Sequence, residues 1–156
     1  MLAERLADAG IRYPSHTIAA AERTGLPLAV LCAVLEQETG GGRNVFGHDA
    51  VKPPQQSGGT VTRARYERYL TLRPTHGAQG VGPMQLTWPG YQDRADDLGG
   101  CWRPRVNILV GAEILAQASR SLGTYRALAA YNGSTAYADQ VTARLPKWRR
   151  IVRGAP

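Results

Sequence analysis

The sequence is poor in cysteine and has no long apolar run. Its two cysteines, Cys32 and Cys101, have a spacing that fits neither a zinc motif nor a Cys-x-x-Cys redox motif. The longest uncharged apolar run, residues 26–35, is far shorter than the ~20 residues of a membrane-spanning helix. The first six residues carry charges of both signs and no apolar segment, unlike a secretory signal. We therefore expect no membrane insertion and no secretory signal peptide in this sequence.

The residues that are present suit one globular domain covering residues 1–156. Hydrophobic residues make up 43% of the chain and charged residues 20%, both ordinary proportions. The net charge is +7, from 19 basic and 12 acidic side chains, which favours anionic partners. Nucleic acid and a polyanion-rich bacterial wall are both such partners. Charge alone leaves both open, although basic residues gather near the end, at Arg144, Lys147, Arg149, Arg150 and Arg153.

Hydrophobic periodicity predicts a helix-dominated α+β domain. We expect helices over residues 2–9, 15–24, 27–39, 63–72, 105–121, 125–131 and 135–150, with a further short helix after residue 88. Ser15 is expected to cap the second helix, and Pro27 to be the first residue of the third. Residues 43–60 and 74–83 are expected to be loops. Residues 45–46 and 60–62 are the candidates for a small β element. The expected fold is α+β, predominantly α-helical.

Two glutamates lie near the end of the helix predicted at residues 27–39, which is apolar over most of its circumference. Glu36 and Glu38 are two positions apart, so a helix points them in nearly opposite directions. Glu38 shares a side with Leu31 and Val34, where lost hydration would raise the pKa of a carboxyl group. A raised pKa suits a general acid. The alternative is that both glutamates are solvated at a fraying helix end.

Four segments together resemble a known superfamily. The run Ala33-Val-Leu-Glu-Gln-Glu38-Thr-Gly-Gly resembles the catalytic helix of soluble lytic transglycosylases and goose-type lysozymes. Gly82-Pro-Met84-Gln85-Leu-Thr is similar to their Gly-Leu-Met-Gln block, and Ala129-Ala-Tyr131-Asn132-Gly133 to their Ala-Tyr-Asn-x-Gly block. The helix that carries Asn107 and Gly111 is similar to their Asn-Ile-x-x-Gly helix. These four motif blocks follow in the family's order between residues 26 and 134.

The resemblance implies a lysozyme-like fold with a small β or loop-rich element, and Glu38 as the catalytic acid. The implied substrate is bacterial peptidoglycan, cut at the β-1,4 bond between N-acetylmuramic acid and N-acetylglucosamine by a monomer without metal or cofactor. Tyr131 is expected to contact the acid or the sugar. The residues expected to contact substrate are Thr39, His48, Met84, Gln85, Tyr131 and Asn132. The long segment between Glu38 and Gly82 resembles phage endolysins, which implies synthesis in the cytoplasm and action on the wall after release, or after loss of a leader.

The resemblance leaves the reaction type open. Hydrolysis with inversion needs a second carboxylate, and Asp49, about a dozen residues after Glu38, is the best candidate. Asp49 could equally be a turn residue bonded to its own backbone. A lytic transglycosylase manages with Glu38 alone and forms a 1,6-anhydro sugar. The sequence also departs from the family pattern, with Thr39 in place of Ser and Pro83 in place of Leu.

Two other classes of protein remain as alternatives. One is a catalytically silent wall-binding module, which needs no buried acid. The other is a basic nucleic-acid binder, for which the sequence shows no helix-turn-helix pattern; we expect no nucleic-acid partner. His48 and His76 lack any metal-binding spacing. Trp88, Tyr91 and Trp102 are candidate sugar platforms, although burial in the core is the expectation for each.

Overall fold

The computed structural model describes residues 1–47 and 58–154, and this part of the chain is mainly helical. Three isolated antiparallel bridges, Val45–Thr60, Phe46–Val81 and Val81–Leu86, replace a sheet in these residues. The prediction of a predominantly helical fold is confirmed. The expected β element is reduced to single bridges, of which two involve Val81. The eight helices of the described residues are α1 (Leu2–Asp8), α2 (Pro14–Thr24), α3 (Leu28–Thr39), α4 (Arg63–His76), α5 (Pro89–Asp97), α6 (Pro104–Leu122), α7 (Thr124–Asn132) and α8 (Thr135–Arg153).

The ends of α2 and α3 show which local sequence signals correctly predicted where a helix begins or ends. Gly25 and Gly40 end α2 and α3 in the left-handed conformation, as expected of glycine after a helix. The prediction of Ser15 as a cap is wrong: α2 begins one residue earlier, because Pro14 occupies the first turn, where its fixed φ fits and its missing N–H costs nothing. Pro27 caps α3 instead of starting it.

Helix α3 is the centre of the core. Every side chain from Ala29 to Leu35 is buried, as expected of a helix that is apolar on all sides. It packs against α2 and α8, while α6 packs against α2 and α7. Cys32 and Cys101 are both free and buried, and burial raises the pKa of each thiol to about 12. Among the described residues, no helix combines the length and apolar character needed to cross a membrane.

Helix α8 lies across the C-terminal end of α3. Glu38 contacts Tyr137 in the first turn of α8, whereas Glu36 contacts Lys147 and Trp148 far along the same helix. Ten or eleven residues of helix correspond to about 15 Å, while the two glutamates are only about 3 Å apart along α3. Glu36 and Glu38, which lie close together on α3, therefore contact widely separated positions on α8. This crossing separates the two glutamates, as their spacing on α3 predicted.

Candidate active site

One loop, residues 81–87, contains the motif block of residues 82–87 and is contacted by the other three blocks; we call it the motif loop. The Thr39 hydroxyl, at the end of α3, donates a hydrogen bond to the Pro83 carbonyl at 2.9 Å. The Tyr131 hydroxyl, from α7, donates to the Met84 carbonyl at 2.6 Å. Both contacts are made to main-chain oxygens. The blocks that contain Thr39 and Tyr131 thus hold the block of residues 82–87 in place beside the end of α3.

Asn107 holds the motif loop from the side of α6. Its amide nitrogen donates to the Val81 carbonyl at 2.9 Å, and its carbonyl accepts from the Met84 N–H at 2.9 Å. The side chain is fully buried. A Cβ on Gly82 would lie 2.4–2.9 Å from the Asn107 amide, and a Cβ on Gly111 would lie 2.6 Å from the Met84 side chain. Both glycines are therefore required by close approach of the loop to α6.

Gln85 gives the motif loop its tight shape. It is the non-glycine residue with positive φ, at 49°, in the described part of the chain. Such a conformation is uncommon for a residue with a side chain. Its amide nitrogen donates to the carbonyls of Val45 and Gly82, each at 3.0 Å. The side chain therefore ties the loop to the segment that follows α3 and offsets the backbone strain.

Glu38 is half-buried next to the motif loop, at the end of α3. Its Oε1 accepts a hydrogen bond from the Tyr137 hydroxyl at 2.6 Å. The Tyr137 ring stacks with the Tyr131 ring, with centroids 6.5 Å apart. Burial, and then the charge of Glu38, raise the pKa of both tyrosines above the usual range. Both hydroxyls therefore stay protonated as donors across the physiological pH range.

Tyr137 was not found by the sequence analysis. The resemblance implied that Tyr131 contacts the acid or the sugar, but the Tyr131 hydroxyl is used by the Met84 carbonyl. Tyr137 supplies the contact to Glu38 instead. It belongs to none of the four motif blocks. The sequence shows only that Tyr137 follows Ser134, whose hydroxyl caps α8, and so lies in the first turn of that helix. This position does not indicate a hydrogen-bond partner 99 residues away.

Glu36 has a structural role. Its carboxylate accepts from the Trp148 indole N–H at 2.6 Å and from Lys147 Nζ at 2.8 Å, and Arg144 lies 3.4 Å away. Burial would raise the pKa of Glu36, but the hydrogen bonds from Lys147 and Trp148 and the charges of Lys147 and Arg144 outweigh burial and lower it. Glu36 is therefore an ionised anchor for α8.

A groove of about 500 Å³ adjoins the Tyr131 side of this site. Trp88 is 61% exposed at the groove, which contradicts the expectation that it is buried. Its ring meets Tyr91 edge-on at 4.8 Å and lies so close to Gly90 that a Cβ there would be 2.4 Å from the ring. Trp102 is half-buried and packs on Tyr66, away from the groove. The groove is lined by Ala78, Gln85, Leu86, Thr87, Trp88, Pro89, Tyr91, Ala130 and Tyr131.

The expected substrate-contacting residues divide into two groups. Gln85 and Tyr131 line the groove. Thr39 and Met84 are buried, 3% and 0% exposed, so their side chains support the motif loop from within. They were singled out because the motif blocks contain them, and a block does not distinguish a lining side chain from a supporting one.

The remaining expected residues lie elsewhere. Asn132 is exposed at the end of α7. His48 and Asp49 lie outside the described residues. Two further carboxylates have structural partners: Asp93 pairs with Arg73 at 2.8 Å, and Asp96 accepts from the buried Tyr66 hydroxyl at 2.8 Å. Within residues 1–47 and 58–154, no cluster of three His, Cys, Asp or Glu side chains could hold a metal ion.

Comparisons of this chain with protein-family models, with curated proteins and with solved structures gave no match. Assignment to a family therefore depends on the motif blocks and on how the folded chain arranges them.

Proposed function

We propose that this chain is a peptidoglycan-degrading glycosidase with a lysozyme-like fold and with Glu38 as its general acid. The observation that supports the proposal is the contact of three sequence-distant motif blocks with the loop that carries the remaining block, beside a half-buried carboxyl group. A wall-binding module or a nucleic-acid binder has no need of such a group. The proposed substrate bond is the β-1,4 link between N-acetylmuramic acid and N-acetylglucosamine.

In the proposed first step, Glu38 gives its proton to the glycosidic oxygen as the bond to the sugar breaks. The hydrogen bond from Tyr137 restricts rotation of the carboxyl group, and a positioned acid is worth about 10²–10⁴ in rate. The exposed Trp88 ring and its neighbour Tyr91 give the groove aromatic faces on which pyranose rings pack. A polysaccharide lying in the groove would pass Tyr131 on its way to the acid.

Two second steps are compatible with this beginning. In hydrolysis, a base removes a proton from a water molecule on the opposite face of the sugar, and we propose Asp49 for that role. In the alternative, lytic transglycosylation, Glu38 takes the proton of the sugar's own C6 hydroxyl, and a 1,6-anhydro ring closes. We favour hydrolysis, because the long segment after Glu38 supplies a carboxylate at a separation similar to that in goose-type lysozymes.

The proposal is tested by adding the purified protein to a peptidoglycan suspension. We expect clearing by the wild type and none by Glu38→Gln, which keeps the size of the side chain and removes the acid. Glu67→Gln is the matched control: it makes the same change on α4, where Glu67 pairs with Arg63 and is exposed. Its clearing rate should equal that of the wild type. Substantial clearing by Glu38→Gln would refute the assignment of the acid.

The reaction type is tested with Asp49→Asn and mass spectrometry of the released fragments. Loss of a positioned base should slow hydrolysis by about 10²–10⁴, and the wild-type products should end in reducing sugars. A mild effect of Asp49→Asn together with anhydro products, which are lighter by one water, would replace hydrolysis by transglycosylation. Binding of walls without any released fragment would leave only the wall-binding alternative.

A further inference from the structure

Two neighbouring clefts follow the line where α2 packs on α6. The larger, of about 320 Å³, is lined by Arg23, Arg94 and Arg120 together with Glu113. The smaller, of about 100 Å³, is lined by Arg23 and by Arg105. Because Arg23 lines both clefts, they form one feature, which we call the arginine seam.

The arginine seam faces away from the motif loop. Asn107 and Gly111 of α6 contact that loop. At about 100° per residue, Arg105 and Arg120 lie about 160–220° around the helix axis from Asn107. A ligand in the seam would therefore leave the Glu38 site open, and its binding does not depend on the function proposed for that site.

The seam carries an excess of positive charge. Its four arginines face one carboxylate, Glu113, which pairs with Arg94 at 2.6 Å. Within the described residues, Arg23, Arg105 and Arg120 have no carboxylate partner. A guanidinium group presents a planar set of N–H donors that matches the oxygens of a phosphate. The composition of the seam thus suits an anion rich in phosphate oxygens.

The length of the seam indicates a polymer. Arg105 and Arg120 stand at opposite ends of α6, fifteen residues and about 22 Å apart, too far for a single phosphate to reach both. None of the described lining residues is Phe, Tyr or Trp, and His16 in the smaller cleft is the one ring among them, so the seam lacks the row of rings on which successive bases of a single-stranded nucleic acid stack. We propose that the arginine seam binds a linear polyol-phosphate chain, the kind of phosphodiester polymer found in bacterial walls.

The test measures binding of soluble poly(glycerol phosphate), with no wall present. The double variant Arg23→Gln, Arg120→Gln removes two charges from the seam. The control, Arg149→Gln with Arg150→Gln, removes two charges from exposed positions on α8. Because the seam variant loses two charged donors, each able to make strong hydrogen bonds to phosphate oxygens, we expect it to bind at least about tenfold more weakly. The control should bind as the wild type does within about twofold, because distant exposed charges are largely screened.

Two further probes separate the possible ligands. Inorganic phosphate should bind far more weakly than the polymer, and a single-stranded oligonucleotide of equal charge should bind more weakly than the polymer. Equal weakening by the seam variant and the α8 control would show that overall charge alone is responsible and overturn the proposal. Inorganic phosphate binding as tightly as the polymer, or an oligonucleotide binding more tightly, would overturn it as well. All four substituted arginines are exposed, so the melting temperatures of both variants should match that of the wild type. Failure of this test would leave the glycosidase proposal unaffected.

Discussion

The substitution Glu36→Gln tests whether Glu36, unlike Glu38, contributes to the stability of the fold. The substitution keeps an oxygen that can accept from the buried Trp148 indole and removes the charge that Lys147 and Arg144 face. Both cations are more than a third exposed, at 44% and 37%, so each pair contributes only about 0.2–1 kcal/mol. Weakening of the charge-assisted bond to Trp148 adds about 1 kcal/mol. We expect a loss of about 1–3 kcal/mol in the free energy of unfolding.

The assay is thermal melting of the wild type, Glu36→Gln and Glu38→Gln, read beside wall clearing. For a chain of this size, 1 kcal/mol corresponds to about 2–4 °C, so Glu36→Gln should melt about 2–12 °C lower and still clear walls. Because the pKa of Glu36 is below its ordinary value of 4.5 in the folded protein, its contribution is complete above that value and is lost as the pH falls through the folded-state pKa. The difference in melting temperature should therefore shrink in acid.

The reverse pattern would refute this account of the end of α3. If Glu36→Gln melts with the wild type and fails to clear walls, while Glu38→Gln clears them, the roles of the two carboxylates are exchanged. A melting difference for Glu36→Gln that persists in acid after the Glu36 carboxylate has been protonated would show that the charge of Glu36 does not anchor α8.

Three further variants test the motif loop and the groove. Tyr131→Phe leaves the Met84 carbonyl without its donor, so calorimetry should show a loss of about 1–3 kcal/mol as well as slower clearing; an unchanged melting temperature would contradict the hydrogen bond. Asn107→Ala removes buried hydrogen bonds to both ends of the motif loop and should lower the free energy of unfolding, measured in urea, by about 3–5 kcal/mol. A loss below 1 kcal/mol would show that the loop keeps its conformation without Asn107. Trp88→Ala should change the free energy of unfolding by less than about 1 kcal/mol and raise the KM for a soluble chitooligosaccharide. An unchanged KM would show that the substrate does not bind in the groove.

The features that sequence could predict are those with local causes. The apolar circumference of residues 27–39 predicted a buried central helix, and Gly25 and Gly40 predicted where α2 and α3 end, because glycine alone enters the left-handed conformation cheaply. The β element was overestimated, because β-branched and aromatic residues at 45–46 and 60–62 signal strand propensity without showing whether a partner is available.

The sequence predicted several members of the candidate site but neither Tyr137 nor the orientation of the side chains. The motif blocks singled out Gln85 and Tyr131, which line the groove, and also Thr39, whose hydroxyl turns inward. Tyr137 could not be found, because its contact with Glu38 depends on α8 crossing the end of α3, and such a crossing is set by packing between distant segments. The same limit applies to Trp88, whose exposure depends on where α5 begins relative to the groove.

The motif loop is held by side chains that bind its main chain, and this has an evolutionary consequence. Thr39, Asn107 and Tyr131 contact carbonyls or an N–H of the loop, atoms that almost every amino acid supplies. Pro83 shows the effect: the bond from Thr39 uses its carbonyl, so a residue without an N–H is tolerated there. Apart from Gly82 and Gln85, whose own conformations shape the loop, substitutions in such a loop leave its shape unchanged so long as the few surrounding anchors are kept. Descendants of one ancestor can therefore lose much of their detectable sequence identity at the other loop positions and still present the loop in the same way.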